Sequence, residues 1–257
     1  MVCAREASVT TVSSRKIRCR MPTSKSTGNG STQTIRRRDP LPRGFRAKIP
    51  LVAVGASLFY RERGRDFPWR KESEPYKLAV AEILLQKTRA ASALPVYEFT
   101  LQRFPSALDL ANADETALKD TLRPIGLSQK RATQLRTMAQ EIVRLGDAVF
   151  DDWRLLILHV PGLGAYAARA IACFSRGEQI GIVDANVARI FRRIFCVTTT
   201  DPRAVVYQRL ADAVAAQSND ARSANFGLLD IGALICKPKP RCADCPFVGF
   251  CPRYGVF

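Results

Sequence analysis

The sequence predicts an all-α protein, and three observations carry that expectation. From residue 46 onward nearly every segment places apolar residues at helical spacing. No segment shows a convincing two-residue alternation. Capping residues and glycines punctuate the chain where the periodic stretches end. In order, Ser73-Glu-Pro75 sets a proline near the first turn of a helix expected to run to about Thr88. Ser128 is expected to cap a long helix whose stripe is Ala132, Leu135, Met138, Ala139, Ile142 and Val143, and Gly146 stops it. Asp151 or Asp152 caps a short helix through Leu158. A tight turn follows, then a helix from Ala165 to about Ser175, ended near Gly177. Asp184 opens a helix through Phe195, Asp201-Pro202 starts another, and Asp220 begins a last one reaching Ile235. Phe195–Thr200 is open to a short extended reading. The sequence has no internal repeat.

The chain has 257 residues, enough for one or two domains with ample core. Its net charge of +17 is uneven: residues 1–50 hold 12 Lys/Arg against 2 Asp/Glu, and the remainder holds 28 against 21. A cationic body with a basic arm fits a polyanionic partner. Residues 1–45, rich in Ser, Thr and Arg, cannot bury enough surface to fold alone and read as a disordered basic arm. The longest apolar run, Ile49–Tyr60, is too short for a membrane span, and no apolar signal core opens the chain. We therefore expect no membrane partner and a cytoplasmic, nucleoid-associated protein, with organelle targeting by the arm left open.

The turn Pro161-Gly-Leu-Gly164 lies between two helices and would aim backbone N–H groups outward at a helix N-terminus, an anion site without side chains. Pro-Gly-x-Gly also simply ends one helix before the next. Ala165, Ala167, Ala168 and Ala170 would let the two helices approach closely. Asp184 follows as a lone acid, and as a helix cap it has a structural role as well; Asn186 could orient its carboxylate. Glu82 lies on a largely apolar helix near Leu78 and Leu85, so burial should raise its pKa toward the general-acid range. His159, the sole histidine, reads as structural. Cys236, Cys242, Cys245 and Cys251 stand at intervals of five, two and five residues. Without a secretory signal a metal centre is favoured over disulfides, and the spacing alone permits zinc or an iron–sulfur cluster. Cys173 and Cys196 sit in apolar runs and should be buried.

These pieces together resemble the helix-hairpin-helix DNA glycosylases related to endonuclease III and MutY. The matching segments are Arg65-Asp-Phe-Pro-Trp-Arg70, Ala81-Glu-Ile-Leu-Leu-Gln-Lys-Thr88, Ile125-Gly-Leu-Ser-Gln-Lys-Arg131, the hairpin, Val183-Asp-Ala-Asn186, Asn225-Phe-Gly-Leu-Leu-Asp-Ile-Gly-Ala-Leu-Ile-Cys236 and the terminal cysteines. They run in family order from about residue 46 to the end, and several look most like the Mig-type thymine–DNA mismatch glycosylases. The resemblance implies a two-lobed fold: residues 46–71 packing on a cluster lobe, a six-helix lobe at 72–180 with the helix-hairpin-helix at about 152–175, further cluster-lobe helices at 181–235, and a four-cysteine loop at 236–251. It implies a catalytic carboxylate at Asp184 and a base-contacting acid at Glu82. Where members with lyase activity carry a Schiff-base lysine, this chain has Tyr166, and a phenol cannot form an imine. Lys87 is a conceivable substitute amine. It implies that Gln86 and Leu127 fill the gap left by an extruded base or touch its orphaned partner. The hairpin residues Pro161, Gly162 and Gly164, with Lys237, Lys239 and Arg241, would meet DNA phosphates. It favours a structural [4Fe–4S] cluster over zinc on the four cysteines, although the family's usual first interval is six.

The implied activity is hydrolytic removal of a mismatched base from double-stranded DNA by a monomer, without AP lyase activity. Thymine or uracil opposite guanine is the leading substrate. The alternative is adenine removal, as in MutY; against it stand Asp184-Ala-Asn186 in place of Asp-Gly-Asn, and a chain ending six residues after Cys251. A non-catalytic DNA-binding module is a further alternative, opposed by the retention of Glu82 and Asp184.

Overall fold

The computed structural model describes residues 41–254; the rest of the expected arm, with Cys3 and Cys19, lies outside them. The described residues form helices α1 (Arg43–Arg46), α2 (Ile49–Arg63), α3 (Pro75–Leu85), α4 (Ala90–Arg103), α5 (Ala107–Ala111), α6 (Glu115–Leu122), α7 (Ser128–Leu145), α8 (Trp153–His159), α9 (Ala165–Arg176), α10 (Ala185–Phe195), α11 (Val205–Ala216) and α12 (Ala221–Leu234). Among the described residues there is no strand, and Val197–Thr200 is irregular.

Two hydrophobic cores organise these helices. One surrounds α3, where Ile83 and Leu84 meet Leu118, Leu122, Leu135, Met138 and Leu156. Each fully buried leucine there contributes about 2 kcal/mol. The other joins α2 to α10, α11 and α12 through Val52, Ala56, Phe191, Tyr207, Leu210 and Ile231. Phe247, from the four-cysteine segment, closes it. A side chain at Gly227 would collide with the Ala56 carbonyl oxygen, so α2 and α12 touch backbone to backbone there. Phe45 on α1 rests against Phe195, which ties residues 43–46 to this second core.

Several boundaries differ from the sequence expectation for local reasons. Helix α3 stops at Leu85, because Gln86 leaves the helical region and Lys87 adopts φ 55°. Ser128 does not cap α7: it is the first helical residue, and Leu127 stands at the cap position with φ 52° and no capping bond. The α7 stripe is buried through Ile142, but Val143 points outward. Asp152, rather than Asp151, caps α8 by accepting the Arg154 N–H at 2.9 Å. Helix α11 starts at Val205, three residues beyond Asp201-Pro202, which form a turn. Asp220 caps α12 and Gly177 ends α9 at φ 70°, as expected. Cys173 is buried, whereas Cys196 is half-buried where α10 ends in the left-handed region. His159 is exposed at the end of α8.

No described helix is long and apolar enough to cross a membrane.

Candidate active site

A cleft runs between the two cores as two adjoining hollows of about 370 and 230 Å³. Glu82, Leu85, Tyr166 and Asp184 line both. Three elements deliver the polar groups: α3 carries Glu82, the first turn of α9 carries Tyr166, and the N-terminus of α10 carries Asp184.

Glu82 sits half-buried near the end of a helix that is otherwise almost wholly in the core. Burial pushes its carboxyl up to about 8, and the nearby Arg70 guanidinium opposes that rise only in part. At neutral pH it is therefore a protonated acid able to donate. Burial also holds the Tyr166 phenol well above its ordinary value, and the charges of Glu82 and Asp184 add to the effect. It is a neutral donor across the working pH range.

Asp184 caps α10 and faces the cleft at the same time. Its Oδ1 accepts the Val187 N–H at 2.7 Å, and its Oδ2 accepts from Asn186 Nδ2 at 2.8 Å. Asn186 is itself fixed, because its Oδ1 accepts from Arg189 at 2.7 Å. The extended segment before Asp184 is held by side chains: Asn225 Oδ1 accepts the Ile182 N–H at 3.0 Å, and Asn225 Nδ2 donates to the Ile180 carbonyl at 2.9 Å. Asp212 accepts the Gly181 N–H at 3.0 Å.

The hairpin borders the same cleft. Gly162 has φ 91°, a conformation that favours glycine, and Leu163 is buried to anchor the turn. Pro161 and Gly164 are exposed. No side chain caps α9. Gln86 is exposed, yet its side chain does not project freely: Nε2 donates to the Gly162 carbonyl at 2.9 Å. Leu127 projects, with 62% of its surface exposed.

Sequence reading missed the cation pair behind the cleft. Asp230 is fully buried and accepts from Arg65 Nε at 2.7 Å, from the Arg65 N–H at 2.9 Å, and from Arg70 Nη2 at 2.8 Å. Arg70 also lies over the Phe226 ring at 4.2 Å. The signal was present: an aspartate in the otherwise apolar run Phe226–Leu234, and two arginines flanking Asp-Phe-Pro-Trp.

Cys236, Cys242, Cys245 and Cys251, each half-buried, line one small cavity of about 20 Å³. Among the described residues no three or more Cys, His, Asp or Glu side chains converge on a single-ion position. Arg193 holds the first interval, donating to Cys236 Sγ at 3.1 Å and to the Lys237 and Pro238 carbonyls at 2.8 and 3.1 Å. Four soft donors beside a cationic side chain suit a centre built on thiolates. Lys237, Lys239 and Arg241 are exposed on this loop, with Arg241 3.5 Å from Asp244.

Residues 80–216 match the HhH-GPD superfamily of base excision DNA repair proteins. The chain is 32% identical over 194 residues to a thymine/uracil-DNA glycosylase of Pyrobaculum aerophilum, covering 73% of this chain and 84% of that protein. It is 30% identical over 221 residues to the human adenine DNA glycosylase, covering 80% of this chain and 40% of that protein. The solved structure of a thermostable thymine-DNA glycosylase superposes with a TM-score of 0.73 at 28% identity, over 81% of this chain and 97% of that one. The chain belongs to the HhH-GPD superfamily of base excision DNA repair proteins.

Proposed function

We propose that this protein is a monofunctional DNA glycosylase that extrudes a mismatched base, thymine or uracil opposite guanine, into the cleft and hydrolyses its N-glycosidic bond. The observation that carries this reading is the meeting of Glu82, Tyr166 and Asp184 around one cleft beside the hairpin. A base inside a duplex must leave the stack before its sugar bond is reached. Breaking that bond sends its electron pair to the base and leaves oxocarbenium character on the sugar. Protonated Glu82 donates to the departing base. The fixed Asp184 carboxylate stabilises the developing cation, guides the water that adds at the sugar carbon and takes up the proton that water releases. Tyr166 lines the pocket and has no amine to offer, so the product is an abasic site in an intact strand.

The hairpin at Pro161, Gly162 and Gly164 takes a backbone phosphate, and Asn186 orients Asp184. Lys237, Lys239 and Arg241 extend the phosphate contacts, and Leu127 with Gln86 occupies the space the base leaves. The four cysteines would hold a [4Fe–4S] cluster that ties their loop together as a structural centre. We assign residues 46–71, 181–235 and 236–251 to the cluster lobe and 72–180 to the hairpin lobe, in a monomer working on duplex DNA at the nucleoid.

The test is a set of duplexes bearing G·T, G·U, A·G and A·oxidised-G, each treated with alkali after incubation. Alkali-dependent breaks at G·T or G·U are the expected result. Breaks at A·G alone would move the assignment to adenine removal, which the likeness to the human adenine enzyme makes the specific competitor. No abasic product from any duplex would leave a DNA-binding module.

A further inference from the structure

Two exposed loops far apart in sequence meet at one buried guanidinium. Arg131, on the first turns of α7, is 3% exposed. Its Nη1 donates to the Ile125 and Gly126 carbonyls, both at 2.6 Å. Its Nη2 donates to the Gln86 carbonyl at 2.7 Å and to Thr88 Oγ1 at 2.5 Å. Among the described residues it is paired with no carboxylate, so its charge is met by oxygen dipoles from these two loops.

Each loop also holds a residue in the left-handed region at some steric cost: Lys87 at φ 55° and Leu127 at φ 52°. Such conformations persist only where the surroundings over-determine them, and they mark places where geometry is being held for a purpose. Here the surroundings are Arg131 on one side and, on the other, the hydrogen bond that Gln86 Nε2 donates to the Gly162 carbonyl. Hairpin, Gln86 loop and Leu127 loop are thereby linked by hydrogen bonds beside the cleft.

We propose that Arg131 is a positioning residue that presets the Gln86 and Leu127 loops for entry into the DNA stack, so that its loss slows base extrusion rather than bond cleavage. The proposal rests on the glycosylase reading above. A guanidinium suits the task because its planar fork presents several N–H groups at fixed angles, while a lysine ammonium is a point donor on a flexible stem.

The experiment uses the full chain and a duplex with 2-aminopurine beside the mismatched base, whose fluorescence reports loss of stacking. Arg131→Lys should slow extrusion by about tenfold or more, with base release slowing in step, because sub-ångström placement is lost at the wedge. Because Arg131 is buried, Thr88→Val provides a second, milder variant that deletes one acceptor at the half-buried rim. It should slow the same step less and keep the wild-type thermal midpoint. When the target base faces an abasic gap, extrusion costs little, and both variants should return to within about threefold of wild type. A merely structural defect would not be rescued in that way. Wild-type extrusion rates in either folded variant, or equal slowing on paired and gapped targets, would overturn the proposal. If the wild-type protein releases no base from any duplex, the glycosylase reading falls and this inference with it. If it releases base while the variants extrude normally, only the role of Arg131 falls.

Discussion

Replacing Glu82 by Gln should make the protein more stable and less active, with a pH dependence that identifies the cause. A carboxyl normally ionises at about 4.5, and burial raises this one to about 8. A raised carboxyl pKa means the folded state disfavours the ion. Its neutral form is fully compatible with the fold below about pH 4.5, and native stability is lost as pH rises toward about 8. At pH 7 the unfolded chain has released this proton and the folded chain retains it, a mismatch of about 2.5 pH units, or roughly 3 kcal/mol. Residual solvent contact at the half-buried position brings the working figure to about 2 to 3 kcal/mol. Glutamine is nearly isosteric with the neutral acid and never ionises, so packing largely cancels. Glu82→Gln should therefore raise the thermal midpoint at pH 7 by roughly 4 to 12 °C for a chain of this size. At pH 4 the gain should shrink to below about 0.5 kcal/mol. Urea denaturation of both proteins from pH 4 to 8 reads this directly. A stability difference that stays flat across that range would refute the assignment of a desolvated carboxyl. The same raised pKa predicts that wild-type base release declines as pH rises through about 8, and that the variant loses this limb.

Asp184→Asn should keep the cap on α10, since asparagine caps almost as well, and should change stability by less than about 1 kcal/mol. Base release should fall by about a hundredfold or more in single-turnover assays, because the charge facing the sugar is gone. Tyr166→Lys places an amine where the phenol stands. Borohydride should then trap a covalent DNA adduct that the wild-type protein does not form, and trapping by the wild type would contradict hydrolysis alone. Replacing Lys237 and Lys239 together by Ala should weaken binding to all duplexes alike and flatten the salt slope by about 2, at roughly 0.9 per lost phosphate contact. Asp230→Asn leaves Arg65 and Arg70 without their shared carboxylate and should cost about 3 kcal/mol by denaturation, with the cleft wall disturbed.

The parts of this protein that were legible in its sequence are those whose physics is local. A proline in a first turn, an aspartate before an apolar run and a glycine after one are decided within a few residues. For that reason Asp152, Asp184 and Asp220 emerge as caps, and Gly177 as a stop. Glu82 was legible for the same reason, since a carboxyl near Leu78 and Leu85 on a largely apolar helix is desolvated once that helix packs. The failures are non-local. Nothing near Ser128 announces that Leu127 adopts a left-handed conformation in front of it; that requires Arg131 to reach back to Ile125 and Gly126 and across to Gln86 and Thr88. Nothing near Lys87 explains why α3 ends at Leu85 until the same guanidinium is in view. The pairing of Arg65 and Arg70 with Asp230 spans about 160 residues and appears only once α12 packs beside the cleft. In each case a buried charged group stabilises a shape that the local sequence would not choose. A charged residue inside an apolar run is thus the sequence's pointer to non-local design, and here Asp230, in the run Phe226–Leu234, marks the arginine pair behind the cleft.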